Sequence, residues 1–158
     1  MRQCGIVCDY IFNIAALHDI LEDTATTKEE LFDLLRSGQD DRKCLDIIVE
    51  VELLTHKRGE PFEKYINRIF QDDSIKRESH ISGPIINGAK IVKLADRIHN
   101  ISTLHLCGDV QKIQRKIRQT EDIIMPLRSN HPDCEKLFAK LEEQLELLNQ
   151  RLPDLASK

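Results

Sequence analysis

Apolar and polar positions alternate with the 3.6-residue period of an amphipathic helix along nearly the whole chain. In the first half, Thr27-Lys28-Glu29-Glu30 has the form of a capping box, which predicts that a helix begins after Thr27. A second helix is predicted to begin at Asp40 or Asp41 and to end at Arg58-Gly59. A third begins near Pro61, since proline suits the first helical position. The pattern contains no clear strand and predicts an all-α fold.

The second half repeats this pattern after one irregular segment. Residues 71–88 are rich in Asp, Ser, Gly and Pro and are predicted to form a long loop. Helix resumes over about residues 89–106, and Asp109 is predicted to cap a further helix through about residue 127. Pro132 opens a last amphipathic helix, in which five leucines recur at intervals of three and four: Leu137, Leu141, Leu145, Leu148 and Leu152. This stripe is typical of core packing, and a seam for a partner helix is the alternative.

Composition narrows the range of partners. The length of 158 residues suits one domain, and 41% hydrophobic residues allow a real core. A net charge of −4 provides no general attraction to nucleic acid or to an anionic membrane surface. The apolar stretch at residues 11–21 is too short to cross a bilayer. We therefore expect a soluble, cytoplasmic protein whose five cysteines are reduced thiols.

Two clusters of polar residues carry candidate chemistry, and the first begins inside the apolar stretch, which His18 and Asp19 interrupt. His18 and Asp19 precede Glu22 and Asp23, which places three carboxylates and an imidazole within about one helical turn. Such carboxylates repel one another unless a cation or hydrogen-bond donors compensate. An imidazole next to a carboxylate is a common ligand pair for a divalent metal ion. A solvated acidic helix end is the alternative interpretation.

The second cluster is the run KIVKLADRIHNISTL, residues 90–104. Four apolar residues form one side of this predicted helix: Leu94, Ile98, Ile101 and Leu104. Five polar residues follow the other side at intervals of three and four: Lys93, Asp96, Arg97, Asn100 and Thr103. A carboxylate, an amide, a hydroxyl and two cations on one face suit a ligand with phosphate and sugar groups. A solvated amphipathic helix is the alternative.

Three segments, ALHDILEDT, ELLTHKRGEPFEKYINRI and IVKLADRIHNISTL, together resemble the HD-domain hydrolases of the RelA/SpoT type. The resemblance covers about residues 13–127. It implies a single compact helical HD domain over residues 1–130, followed by an additional C-terminal amphipathic helix and tail over residues 131–158. It also implies hydrolysis of the 3′-pyrophosphate of guanosine tetra- or pentaphosphate, with one divalent metal ion, usually Mn²⁺.

The resemblance assigns roles residue by residue. Glu22 and Asp23 match the acidic pair that orients or deprotonates the attacking water. Three residues match the metal ligands of the family: His18, Asp19 and Asp96. Four residues fall at or beside its substrate contacts: Lys93, Arg97, Asn100 and Thr103. Of these four, Lys93 and Arg97 neutralise phosphate or pair with the acidic cluster, whereas Asn100 and Thr103 contact sugar and phosphate.

The chain departs from the family before His18. The family has a further metal-binding histidine on an earlier helix, but no histidine precedes His18 here. We therefore expect a chain that is N-terminally incomplete relative to the family, with a weakened metal site. His80, in the predicted loop, is one candidate for a substitute ligand. A catalytically weak domain that binds nucleotides as a regulatory module is the alternative function. A homo-oligomer formed through the C-terminal helix is a further hypothesis.

Overall fold

The predicted all-α fold is confirmed. A computed structural model describes residues 7–38, 40–71 and 87–156, and this part of the chain contains helices, turns and no strand. The α-helices are α1 (Val7–Leu17), α2 (Ile20–Asp23), α3 (Lys28–Leu35), α4 (Asp41–Leu54), α5 (Phe62–Gln71), α6 (Gly88–Thr103), α7 (Val110–Gln119) and α8 (Glu135–Ala156). None of these helices is long and apolar enough to cross a membrane. The predicted loop and its His80 fall mainly outside the described residues.

The chain divides into two compact units, Met1–Val92 and Lys93–Lys158, with the division inside α6. The predicted domain limit at residue 130 stays a prediction.

Local capping chemistry sets several helix starts. The Thr27 side chain accepts a hydrogen bond from Glu30 N at 3.2 Å, and Glu30 Oε2 accepts one from Thr27 N at 2.9 Å. This confirms the predicted capping box. The Asp40 side chain likewise accepts from Arg42 N at the start of α4, and Asp109 accepts from Lys112 N at 2.9 Å at the start of α7.

In the first unit, α4 packs against α1, α3 and α5 around a buried aliphatic core. Fully or almost fully buried side chains come from each of these helices: Ile14, Leu31, Ile47, Val51, Ile66, Ile69 and Phe70. Gly88, at the start of α6, allows a close approach to this core. A Cβ atom at Gly88 would lie 2.5 Å from Ile14 Cδ1 and 3.2 Å from Ile11 Cδ1.

In the second unit, α8 packs its apolar stripe against α7 and the neighbouring short helical turns. Leu141, Leu145 and Leu148 are at most 5% exposed, so the core-packing interpretation of the stripe is confirmed for these three positions. Leu137 and Leu152 are only partly buried, whereas Phe138, which the predicted stripe did not include, is fully buried. The helix predicted from Asp109 changes type after α7. A π-helical turn, Thr120–Ile124, and a 3₁₀ segment, Met125–Asn130, follow it. Pro126 lies inside this stretch and has no N–H to continue the α-helical ladder.

Candidate functional site

The acidic cluster of the first unit lies at a break between two helices, whereas its sequence suggested a single helical face. α1 ends at Leu17, and the one-turn helix α2 begins after Asp19. His18 Nδ1 lies 2.7 Å from Ala15 O, a carbonyl that would otherwise accept from a later backbone N–H. Asp19 O then accepts from Glu22 N at 3.0 Å and from Asp23 N at 2.8 Å, which starts the new turn.

His18 and Asp19 place two atoms that could bind a metal ion side by side. Because the Ala15 carbonyl can only accept a hydrogen bond, His18 Nδ1 donates to it, which leaves Nε2 as the ring nitrogen that could bind a metal ion. His18 Nε2 lies 2.9 Å from Asp19 Oδ2. Two ligand atoms bound side by side, each about 2.1 Å from an ion, lie about 3 Å apart. The pair therefore fits two neighbouring positions in the coordination shell of a divalent cation.

The third predicted ligand, Asp96, lies in the second unit and is already engaged there. Asp96 Oδ2 accepts from Lys93 Nζ at 3.1 Å, and Asp96 Oδ1 accepts from Asn100 Nδ2 at 2.7 Å. Among the residues that the structure describes, no group of three or more His, Cys, Asp or Glu side chains could hold a metal ion. The geometry therefore fits a metal ion held by two protein ligands, His18 and Asp19. A site with three protein ligands stays a prediction.

Glu22 and Asp23 are exposed on α2, one turn after the His18–Asp19 pair. Glu22 Oε2 accepts a hydrogen bond from His56 N at 3.1 Å, which links α2 to the segment that follows α4. An ionised carboxylate held by one oxygen can accept a proton on the other. Sequence reasoning did not find the contact with His56, because the two residues are 34 positions apart.

In the second unit, a cavity of about 360 Å³ lies beside the end of α6 and the start of α7. Its lining includes three of the predicted substrate contacts, Arg97, Asn100 and Thr103. Arg97, which the helical pattern placed on the polar side of α6, is only 3% exposed. Lys93 does not line this cavity and is paired with Asp96.

Two further cations in the cavity lining, Lys112 and Lys116, were missed in the sequence. They are four residues apart on α7 and therefore share one face of that helix. Burial, followed by the nearby positive charges of Arg97 and Lys93, lowers the pKa of Lys116 below its ordinary value of 10.5. The cavity therefore concentrates positive charge where an anion would relieve the repulsion. In the sequence, the four-residue interval between the two lysines of QKIQRKIRQ was the pattern that could have indicated this shared basic face.

Replacement of Lys116 by Met is expected to raise the melting temperature and to weaken binding of inorganic pyrophosphate about ten-fold or more. Below the lowered pKa, the folded chain carries the full penalty of a charged, half-buried Lys116. This penalty falls as pH rises from the lowered pKa towards 10.5, and Met removes it at every pH. Thermal unfolding across pH and calorimetric titration with pyrophosphate measure the two effects. Lys136→Met, at an exposed position of α8, is the control. A lower melting temperature for Lys116→Met would contradict the electrostatic argument.

Comparisons with known proteins show several distant relatives. The chain is 27% identical over 134 residues to guanosine-3′,5′-bis(diphosphate) 3′-pyrophosphohydrolase MESH1 of Xenopus tropicalis, which covers 82% of the chain and 65% of that protein. The human protein of the same name is 24% identical over 147 residues, 90% of the chain and 73% of that protein. A GTP pyrophosphokinase of Myxococcus xanthus is 31% identical over 119 residues, 70% of the chain but 14% of that protein. No protein-family model and no solved structure matches the chain. These low-identity similarities support a relationship to enzymes of the RelA/SpoT type.

Proposed function

We propose that this chain is a metal-dependent phosphohydrolase that removes pyrophosphate from guanosine polyphosphates. The observation that carries the proposal is the His18–Asp19 pair, whose donor atoms converge at 2.9 Å one turn before two exposed carboxylates. The pyrophosphohydrolases named above are relatives of this chain, and their names describe this reaction.

The chain's own residues have separate tasks in this proposal. Arg97, Lys112 and Lys116 bind phosphate oxygens, while Asn100 and Thr103 contact sugar and phosphate groups. Glu22, supported by the His56 N–H, accepts a proton from the attacking water, and Asp23 is the second candidate acceptor. Release of pyrophosphate breaks the bond between the ribose 3′ oxygen and the first phosphorus atom, and water supplies the new oxygen on that phosphorus.

A divalent ion, Mn²⁺ in this proposal, would be held by His18 and Asp19 with Asp96 as the predicted third ligand, and it would acidify water and neutralise phosphate charge. The hydrogen bond from His18 Nδ1 to Ala15 O keeps Nε2 directed towards Asp19. Such support of a histidine's second nitrogen is usual at metal sites.

A regulatory nucleotide-binding module is the second candidate. It is favoured by the state of Asp96, whose two carboxylate oxygens are both engaged by residues of its own helix, Lys93 and Asn100. In this alternative, the cavity beside α6 binds a nucleotide and hydrolysis is weak or absent. Association of two chains through α8 stays a separate prediction, and Leu147, 41% exposed on that helix, is the residue to probe.

The test is incubation of the purified chain with guanosine tetraphosphate, with Mn²⁺ or with a chelator, followed by separation of the nucleotide products. The enzyme proposal expects guanosine diphosphate and pyrophosphate in equal amounts, only when metal is present. Nucleotide binding without product, in a folded chain loaded with Mn²⁺, would instead favour the regulatory module.

A further inference from the structure

One guanidinium organises the connection between α4 and α5. Arg68, on α5, donates from Nη1 to Leu53 O at 3.0 Å and from Nη2 to Thr55 O at 3.0 Å. The same side chain donates from Nε and Nη2 to the two carboxylate oxygens of Glu60, at 3.2 and 2.9 Å. Arg68 therefore ties the end of α4 and the following segment to α5 through a two-pronged, charge-assisted contact.

Glu60 is the inner partner of this contact. Its side chain is only 8% exposed, and Arg68 is 23% exposed. The hydrogen bonds from Arg68 lower the pKa of Glu60, so this carboxylate stays ionised. Glu60 Oε2 also accepts from Lys57 N at 3.3 Å, which fixes the backbone within the connection.

His56 lies inside the segment that Arg68 and Glu60 hold. Its Nε2 donates to Glu60 O at 2.7 Å, and its ring stacks on Tyr65, with the ring centroids 4.6 Å apart. The buried Tyr65 hydroxyl donates in turn to Leu54 O at 2.5 Å. The imidazole of His56 is thus held on two sides, and this sets the direction of its backbone N–H.

That N–H points at Glu22, with 3.1 Å between His56 N and Glu22 Oε2. α2 has little else to hold it, because it is a single turn with no buried residue. Within the described ranges, no other hydrogen bond or ion pair joins a side chain of Ile20–Asp23 to a residue outside this turn. Glu22 Oε1 therefore stays open to accept a proton.

We infer that Arg68, Glu60 and His56 are positioning residues that aim the Glu22 carboxylate at the attacking water. The inference deepens the proposed function and rests on it, since it gives Glu22 the role of proton acceptor. A reacting group displaced by about 1 Å can lose about 100-fold in rate. None of the three positioning residues lines the cavity beside α6, and in this proposal each acts through the conformation of the connection.

The test uses two conservative variants of the full chain. Arg68→Lys keeps the charge but cannot form the two-pronged contact, and Glu60→Gln keeps the shape but removes the charge. The kcat for guanosine tetraphosphate with saturating Mn²⁺ is expected to fall about ten-fold in each variant, with little change in KM. This loss is smaller than the roughly 100-fold that a displacement of about 1 Å can cause, because each variant weakens the contact without removing it. The matched control is Arg128→Lys, which weakens an equivalent contact of Arg128 with Glu135 in the second unit.

A second measurement reads the positioning without activity. Hydrogen exchange of the His56 amide, followed by nuclear magnetic resonance, is expected to be slow in the parent chain and faster in Glu22→Ala. Arg68→Lys and Glu60→Gln are expected to speed this exchange as well, whereas Arg128→Lys leaves it unchanged. If Arg68→Lys does not fold, Glu60→Gln carries both measurements.

The outcomes separate the two proposals. No pyrophosphate from the metal-loaded parent chain would overturn the proposed function and the catalytic part of this inference. Unchanged His56 exchange in the folded variants would overturn the positioning geometry, whether or not the chain is active. Lower stability with unchanged kcat in an active chain would give Arg68 and Glu60 a purely structural role and overturn the inference.

Discussion

Replacement of Asp19 by Ala is expected to reduce Mn²⁺-dependent release of pyrophosphate by about a thousand-fold or more. Asp19 Oδ2, which lies 2.9 Å from His18 Nε2, is one of the two converging ligand atoms. Removal of the carboxylate takes away the ligand next to the imidazole, and a site that has lost one of its few protein ligands holds a divalent ion far less tightly. A bound ion contributes several kcal/mol of charge stabilisation in such reactions, which corresponds to roughly a thousand-fold in rate.

Two measurements check this expectation. Initial rates of pyrophosphate release at increasing Mn²⁺ concentrations give the change in activity. The rise in melting temperature that Mn²⁺ produces gives the change in metal binding, because a ligand that binds only the folded chain stabilises it. Asp33→Ala is the matched control, since Asp33 is an exposed carboxylate of α3 paired with Arg36 at 3.4 Å. Full activity in Asp19→Ala would remove the His18–Asp19 pair from the proposed site.

Replacement of Phe138 by Ala is expected to reduce the free energy of unfolding by about 3–5 kcal/mol. Phe138 is fully buried in the first turn of α8, so the truncation leaves a cavity in the core of the second unit. A typical domain is stable by only about 5–15 kcal/mol, so this loss is a large part of the total.

Urea unfolding followed by circular dichroism measures the effect, with the midpoint and the slope compared between variants. Phe12→Ala is the control of the same residue type, since Phe12 is 54% exposed on α1 and its removal is expected to change stability little. A small loss for Phe138→Ala, accompanied by dissociation of an oligomer, would support the partner-helix interpretation of the stripe instead.

Several features of the fold were predictable because their causes are local. The Thr27 capping box and the Asp109 cap depend on residues within three positions of each other. The buried side of α8 follows from a helical period that is read along one segment. The pairing of His18 with Asp19 was also predictable, because the two residues are neighbours in the chain.

Other local predictions were wrong in detail, and each error has a physical cause. α4 ends at Leu54 and not at Arg58-Gly59. Its last carbonyls find donors on α5, where Arg68 reaches Leu53 O and Tyr65 reaches Leu54 O. The acidic cluster is not one continuous helical face, since the His18 ring takes the Ala15 carbonyl and the helix breaks there.

The sequence by itself determined the helical class, most helix starts, the buried stripe of α8 and the identity of the candidate acidic residues. Only the tertiary structure decided that Arg97 is buried, that Lys112 and Lys116 join the cavity lining, and that His56 holds Glu22 from 34 positions away. The reason is the range of the interactions. Capping and periodicity act between near neighbours, whereas burial, charge clustering and the aim of a carboxylate depend on helices that meet only after the chain has folded.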